Sequence, residues 1–148
     1  YIHSRYGLNS RLDELHAAIL REKLRFLEKD NDTRRKIAER YVKNLKGIKE
    51  IEMILPKKME NSNFHLFVIK AKKRDEVQNY LKNEGIPSLV HYPLTIPQQP
   101  VIKKLGLVNK GLPVSKKFVK EILSLPCHPF MKMEEVDYIS NKLTEFFN

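Results

Sequence analysis

The sequence predicts one α+β domain, a small sheet with helices packed on it. Three observations lead there. Apolar residues recur at helical spacing near both ends, with Ile37, Tyr41 and Leu45 early and Val136, Ile139, Leu143 and Phe147 late. Short β-rich runs lie between them, and FHLFVI at 64–69 is the strongest. No internal repeat, low-complexity tract or clear linker divides the 148 residues, a length that suits one domain.

The elements follow in order. Asn9 or Ser10 can cap a first helix, and Asp13 stands at the third position after Ser10, as in a capping box. Leu12, Leu15, Ile19, Phe26 and Leu27 mark one face of it. Asn31-Asp32-Thr33 is expected to interrupt that helix and cap a second, which buries Ile37, Tyr41 and Leu45 and ends at Gly47. Residues 48–55 read as a short strand closed by Pro56, and 57–63 as a polar turn. Residues 64–69 are nearly continuous in apolar character, so a strand covered on both faces is expected. A helix over 74–84 turns Val77, Tyr80 and Leu81 inward and stops at Gly85. Residues 86–92 read as another strand, which completes a strand–helix–strand crossover. Pro93, Pro97 and Pro100 then block regular structure. A helical turn is expected at 101–105, a helix capped by Ser115 at 114–122, a brief strand at 123–126 and a closing helix at 134–147.

Composition excludes several function classes. The net charge is +10 with a pI near 9.7, which can draw nucleic acid, acidic membranes or phosphorylated ligands. The lysines are scattered, however, and the densest run, 70–74, reads as a solvated corner. Phe64 and Phe67 lie on the best strand among apolar residues, without the basic neighbours of an RNA-stacking surface. A single cysteine, Cys127, permits no internal disulfide, so a reducing, cytoplasmic setting is expected. No apolar run approaches the roughly 18–20 residues of a membrane span, and no signal-peptide pattern opens the chain. The chain begins at Tyr1 rather than methionine, which suggests a cut-out fragment, a trimmed tag or a start that lies upstream of this sequence. None of His3, His16, His65, His91 and His128 pairs with another at i, i+3 or i+4, so no metal is expected. There is no phosphate-cradling glycine loop and no Gly-x-Ser-x-Gly elbow. Cys127 and His128 are neighbours that a strand would point to opposite faces, so Cys127 is expected to pack near the core.

Two stretches are polar where a core alone would not need it: residues 7–11 and His91-Tyr92-Pro93. Their amide, guanidinium, imidazole and phenol groups suit anionic or hydroxyl-rich ligands. Each also has a purely structural reading. Asn9 can be a cap, Arg11 can pair with Glu14 or Glu22, and His91 can be a satisfied buried histidine.

The order of these pieces is itself informative. GLNSRLDELHAAILREKL, RRKIAERY, FHLFVIKAKKRDEVQNYLKNEGIPSLVHYP, Leu112-Pro113, EILSLPCHPFM and EEVDYISNKL follow one another across residues 6–145. In that order they strongly resemble the DegT-type sugar aminotransferases, pyridoxal-phosphate enzymes that act on nucleotide-linked keto sugars. The resemblance covers only the C-terminal portion of such an enzyme. It implies the small domain of a fold-type I pyridoxal-phosphate enzyme, with a mostly antiparallel sheet. Residues 1–30 would lead in from a large domain and 31–148 would form the small one. The cofactor-bearing lysine, the acid facing the pyridine nitrogen and most of the phosphate cup belong to the large domain. The complete enzyme would use pyridoxal phosphate, and this chain alone is expected to bind none and to be inactive.

By the resemblance, Asn9 reaches the cofactor phosphate of a neighbouring subunit in a homodimer, a task suited to a helix start. Arg11 lies at the same cross-subunit site. His91 and Tyr92 border the sugar-nucleotide pocket. Many family members continue this motif to a second histidine, which is absent from His91-Tyr92-Pro93-Leu94-Thr95-Ile96-Pro97-Gln98-Gln99. The implied reaction moves an amino group from a donor, glutamate, to a ketone on a nucleotide-linked deoxysugar, with neither membrane nor metal involved. A dehydratase of the same family, a non-catalytic dimerisation or binding domain, and a basic nucleic-acid-binding domain stand as alternatives.

Overall fold

The computed structural model describes residue 2, residues 13–106 and residues 111–148. Helix α1 (Glu14–Leu24) starts at Asp13, whose Oδ1 accepts the His16 N–H at 2.8 Å. Asp13 is thus itself the cap, not a residue inside the first turn; the caps proposed at Asn9 and Ser10 lie outside the described residues. None of α1 is buried, and Leu15 and Leu24 are 71% and 62% exposed.

The break into α2 (Leu27–Leu45) falls at Arg25–Phe26, not at Asn31-Asp32-Thr33. The reason is local satisfaction. The Arg25 and Phe26 N–H groups reach back to the Glu22 and Lys23 carbonyls and close α1. The polar triplet is accommodated within α2, where the Thr33 hydroxyl donates to the Lys29 carbonyl at 2.9 Å and Asp32 pairs with Arg35 one turn on. Ile37, Tyr41 and Leu45 are fully buried as the spacing predicts, and Gly47, at φ 101°, ends the turn that follows.

Three strands form an antiparallel sheet, β1 (Ile51–Met53), β2 (Phe67–Ala71) and β3 (Ile122–Leu125), in the order β1-β2-β3. Register pairs Ile51 with Ala71 and Phe67 with Leu125. β2 begins later than the apolar run because the Phe64 and His65 N–H groups turn to Ser62 Oγ and Asn63 Oδ1, both at 3.1 Å. Its faces alternate: Phe67, Ile69 and Ala71 are buried, while Val68 and Lys70 are partly covered. The run 70–74 is no solvated corner at its ends. The Lys70 side chain is 14% exposed, 2.5 Å from Glu52 and 4.9 Å from the Phe118 ring centre. Arg74 donates to the Ile122 carbonyl at 3.1 Å.

Helix α3 (Arg74–Asn83) buries Val77 and Leu81, with Tyr80 half-buried, and Gly85 follows at φ 74°. Residues 86–92 do not form the expected strand, and there is no crossover. Pro87 has no N–H, the Ile86 N–H is spent on the Leu81 carbonyl at 2.8 Å, and only Leu89 pairs with Ser124, in an antiparallel bridge. Helix α4 (Pro100–Lys104) occupies the expected helical turn. Helix α5 (Pro113–Glu121) starts with proline in its first turn and Leu112 at the cap, so Ser115 lies inside it and caps nothing. Helix α6 (Met133–Phe147) closes the fold.

The core lies between the sheet, α2, α3 and α6. Tyr41 stacks on Phe67 with ring centres 4.8 Å apart, and Val136, Ile139 and Leu143 of α6 are buried beside them. Each such aliphatic side chain contributes about 1.5–3 kcal/mol. Asp137 clamps α6 to α2, accepting from Arg40 through two bonds of 2.7 Å and from Asn44 at 2.7 Å.

Candidate functional site

The chain approaches the site from α3. After Gly85, the Gln78 side chain donates to the Ser88 carbonyl at 3.1 Å, and Leu89 exchanges two backbone bonds with Ser124. Two residues on, His91 Nδ1 lies 3.0 Å from Ser124 Oγ. The structural reading of His91 is therefore met in part, since this half-buried ring has a protein partner. The His91–Tyr92 peptide is cis, the two rings meet edge to face with centres 5.7 Å apart, and Tyr92 is 55% exposed.

Beyond Pro93 the loop is tied by Gln98, whose Oε1 accepts the Thr95 N–H at 3.0 Å and the Thr95 hydroxyl at 2.8 Å. This half-buried knot fixes the loop that walls two adjoining cavities. The larger holds about 500 Å³ and is lined by His91, Tyr92, Thr95, Ser115 and Phe118 among apolar neighbours. The smaller holds about 330 Å³ and shares Tyr92, Leu94 and Ile96 with it. An imidazole, a phenol and two hydroxyls on apolar walls suit a ligand with hydroxyl groups on a carbon ring.

His91 and Tyr92 are thus brought together at one cavity. Asn9 and Arg11 lie outside the described residues. Thr95 and Phe118 line the cavity without having been singled out in the sequence, and Ser115, read there as a helix cap, lines it too. Ser124 was missed too; its signal was a lone hydroxyl within the apolar run ILSL. Among the described residues no lysine or carboxylate lines either cavity, so these walls do not make a pyridoxal-phosphate site. Cys127 is buried, its thiol 3.9 Å from the Arg34 carbonyl, and burial pushes that thiol up to about 11, away from nucleophilic use. Among the described residues no cluster of three or more His, Cys, Asp or Glu could hold a metal, and no helix is long and apolar enough to cross a membrane.

The described geometry has close relatives. The chain is 41% identical over 149 residues to the pleiotropic regulatory protein of Geobacillus stearothermophilus, covering 99% of this chain and 40% of the relative. It is 37% identical to the dTDP-3-amino-3,6-dideoxy-alpha-D-galactopyranose transaminase of Aneurinibacillus thermoaerophilus, covering 95% and 38%. Among solved structures, S. venezuelae DesV superposes with a TM-score of 0.86 at 30% identity, covering all of this chain and 40% of that one. A DegT DnrJ EryC1 StrS aminotransferase from Brucella abortus gives 0.83 at 35% identity, covering 100% and 39%. The chain therefore spans about 40% of the length of the relatives it matches. Its α+β fold agrees with theirs, and the family model for the DegT/DnrJ/EryC1/StrS aminotransferases matches residues 1–144: the chain belongs to that family.

Proposed function

We propose that this chain is the C-terminal small domain of a pyridoxal-phosphate-dependent aminotransferase that aminates a ketone on a nucleotide-linked deoxysugar. The observation that carries the reading is the placement of the family-like His91-Tyr92 pair at the mouth of a 500 Å³ cavity with hydroxyl-bearing, apolar walls. The printed activity of the Aneurinibacillus relative, a transaminase of a dTDP-linked aminodideoxy sugar, supports the substrate class.

On this reading residues 1–30 lead in from a large domain and 31–148 form the small one. Asn9 and Arg11 hold the cofactor's phosphate end across a homodimer, the amino donor is glutamate, and the enzyme works in the cytoplasm. The cofactor supplies the electron sink when bound; the lysine that carries it lies in the large domain, and this chain alone neither binds it nor transaminates. His91 and Tyr92 hold the sugar-nucleotide by hydrogen bonds while the apolar walls cover its ring.

The test uses the full-length enzyme that contains this segment. His91→Gln is expected to raise KM for the nucleotide-linked keto sugar about tenfold or more, the scale of a lost ligand hydrogen bond, and to leave the half-reaction with glutamate unchanged. An unchanged KM removes His91 from the site. Product analysis separates amination from dehydration. Asn9→Ala is expected to change this chain's stability little, since Asp13 caps its first helix, and to damage the assembled enzyme far more.

A further inference from the structure

We propose that Ser124 is a positioning residue, whose hydroxyl sets the orientation of His91 at the ligand cavity. The proposal rests on the reading of that cavity as the sugar-nucleotide site. The sequence of β3, ILSL, is buried at all four positions, and Ser124 is its one polar member. A sheet interior gains nothing from a hydroxyl, which must find a partner there or lose its hydration uncompensated. The partner is His91 Nδ1 at 3.0 Å.

The backbone of Ser124 holds the same segment. Its N–H donates to the Leu89 carbonyl at 2.7 Å, and its carbonyl accepts the Leu89 N–H at 3.2 Å. On its other side it pairs with Val68 of β2. One residue thus connects the sheet to residues 89–91 through both backbone and side chain. The two roles are separable, because the backbone bridge survives loss of the hydroxyl. A hydroxyl both donates and accepts, so it can meet Nδ1 in either state and hold the ring at one angle. With Nδ1 held to Ser124, the angle of the ring sets where its other edge stands toward a ligand in the cavity.

The decisive measurement is ring-nitrogen NMR of the chain with 15N-labelled histidine. Wild type and Ser124→Thr are expected to show His91 with a hydrogen-bonded Nδ1. Ser124→Ala should lose that hydrogen-bonded Nδ1 signature, while the Leu89 and Ser124 amides keep their protection from exchange. Ring signals already averaged in the wild type, or unmoved in Ser124→Ala, overturn the proposal. Should Ser124→Ala fail to fold, the wild-type spectrum alone decides. In the full-length enzyme Ser124→Ala should raise KM for the nucleotide-linked sugar several-fold with kcat little changed, and Ser124→Thr should restore it. Ring signals that move while KM stays put refute a role in binding. Failure of the cavity reading itself shows separately, as an unchanged KM in His91→Gln.

Discussion

Asp137 carries more of the fold than its half-exposed position suggests. Hydrogen bonds from Arg40, then from Asn44, hold its carboxyl down to about 2, from an ordinary value of 3.8. The folded value lies below the unfolded one, so this stabilisation is fully present above about pH 4 and is lost as pH falls through about 2. Thermal melts between pH 6 and pH 2 should show wild type losing Tm across that window. Asp137→Asn should start lower at pH 6 and lose less; parallel curves would remove the clamp from the account. Cys127, raised by burial, should resist thiol reagents at pH 7.5 in the native chain and react promptly once unfolded. Single residues were unevenly legible in the sequence. The lone Cys127 read correctly as a packed thiol. The Asp137 clamp did not, because its partners lie 97 and 93 residues away. Ser124 was read only as part of an apolar strand; nothing in a linear run says which hydroxyl has an imidazole opposite.

At the scale of elements, helical periodicity was the most readable signal. The buried faces of α2, α3 and α6 follow the spacing of Ile37, Val77 and Val136 and their successors. Strands read less well, since hydrogen bonding and not hydrophobicity sets their limits. Phe64 is apolar yet outside β2, because its N–H is already taken by Ser62. Residues 86–92 carry β-favouring side chains, but proline and a helix-end bond leave them one bridge. The apolar stripe of α1 was also read, but the chain offers it no burial. Leu123→Ala in β3 should therefore cost about 2–5 kcal/mol in urea unfolding, as for a filled core position. Leu15→Ala in α1 should stay within about 0.5 kcal/mol. A comparable loss at Leu15 would mean that α1 packs on the chain after all.

For the whole molecule, that exposed stripe is the surface on which the proposed larger domain would dock. Leu15, Ile19, Leu24 and Phe26 are each at least half exposed. Titration of the isolated chain with pyridoxal phosphate should give no saturable band. One that appears and is abolished by changing a single lysine would place a complete cofactor site in these residues and defeat the proposed division of labour. The candidate site was legible only as a motif, His91-Tyr92; its cavity depends on residues between 91 and 97 and between 112 and 122 coming together around it. The pairing of α2 with α6 has a further consequence, for synthesis. Arg40 must wait on the ribosome for Asp137, and the seat of Tyr41 and Phe67 stays open until Val136 and Leu143 arrive. A nascent chain cannot finish this core before its last helix leaves the exit tunnel, so messages truncated ahead of residue 136 should yield polypeptides that are degraded rather than shortened domains that persist.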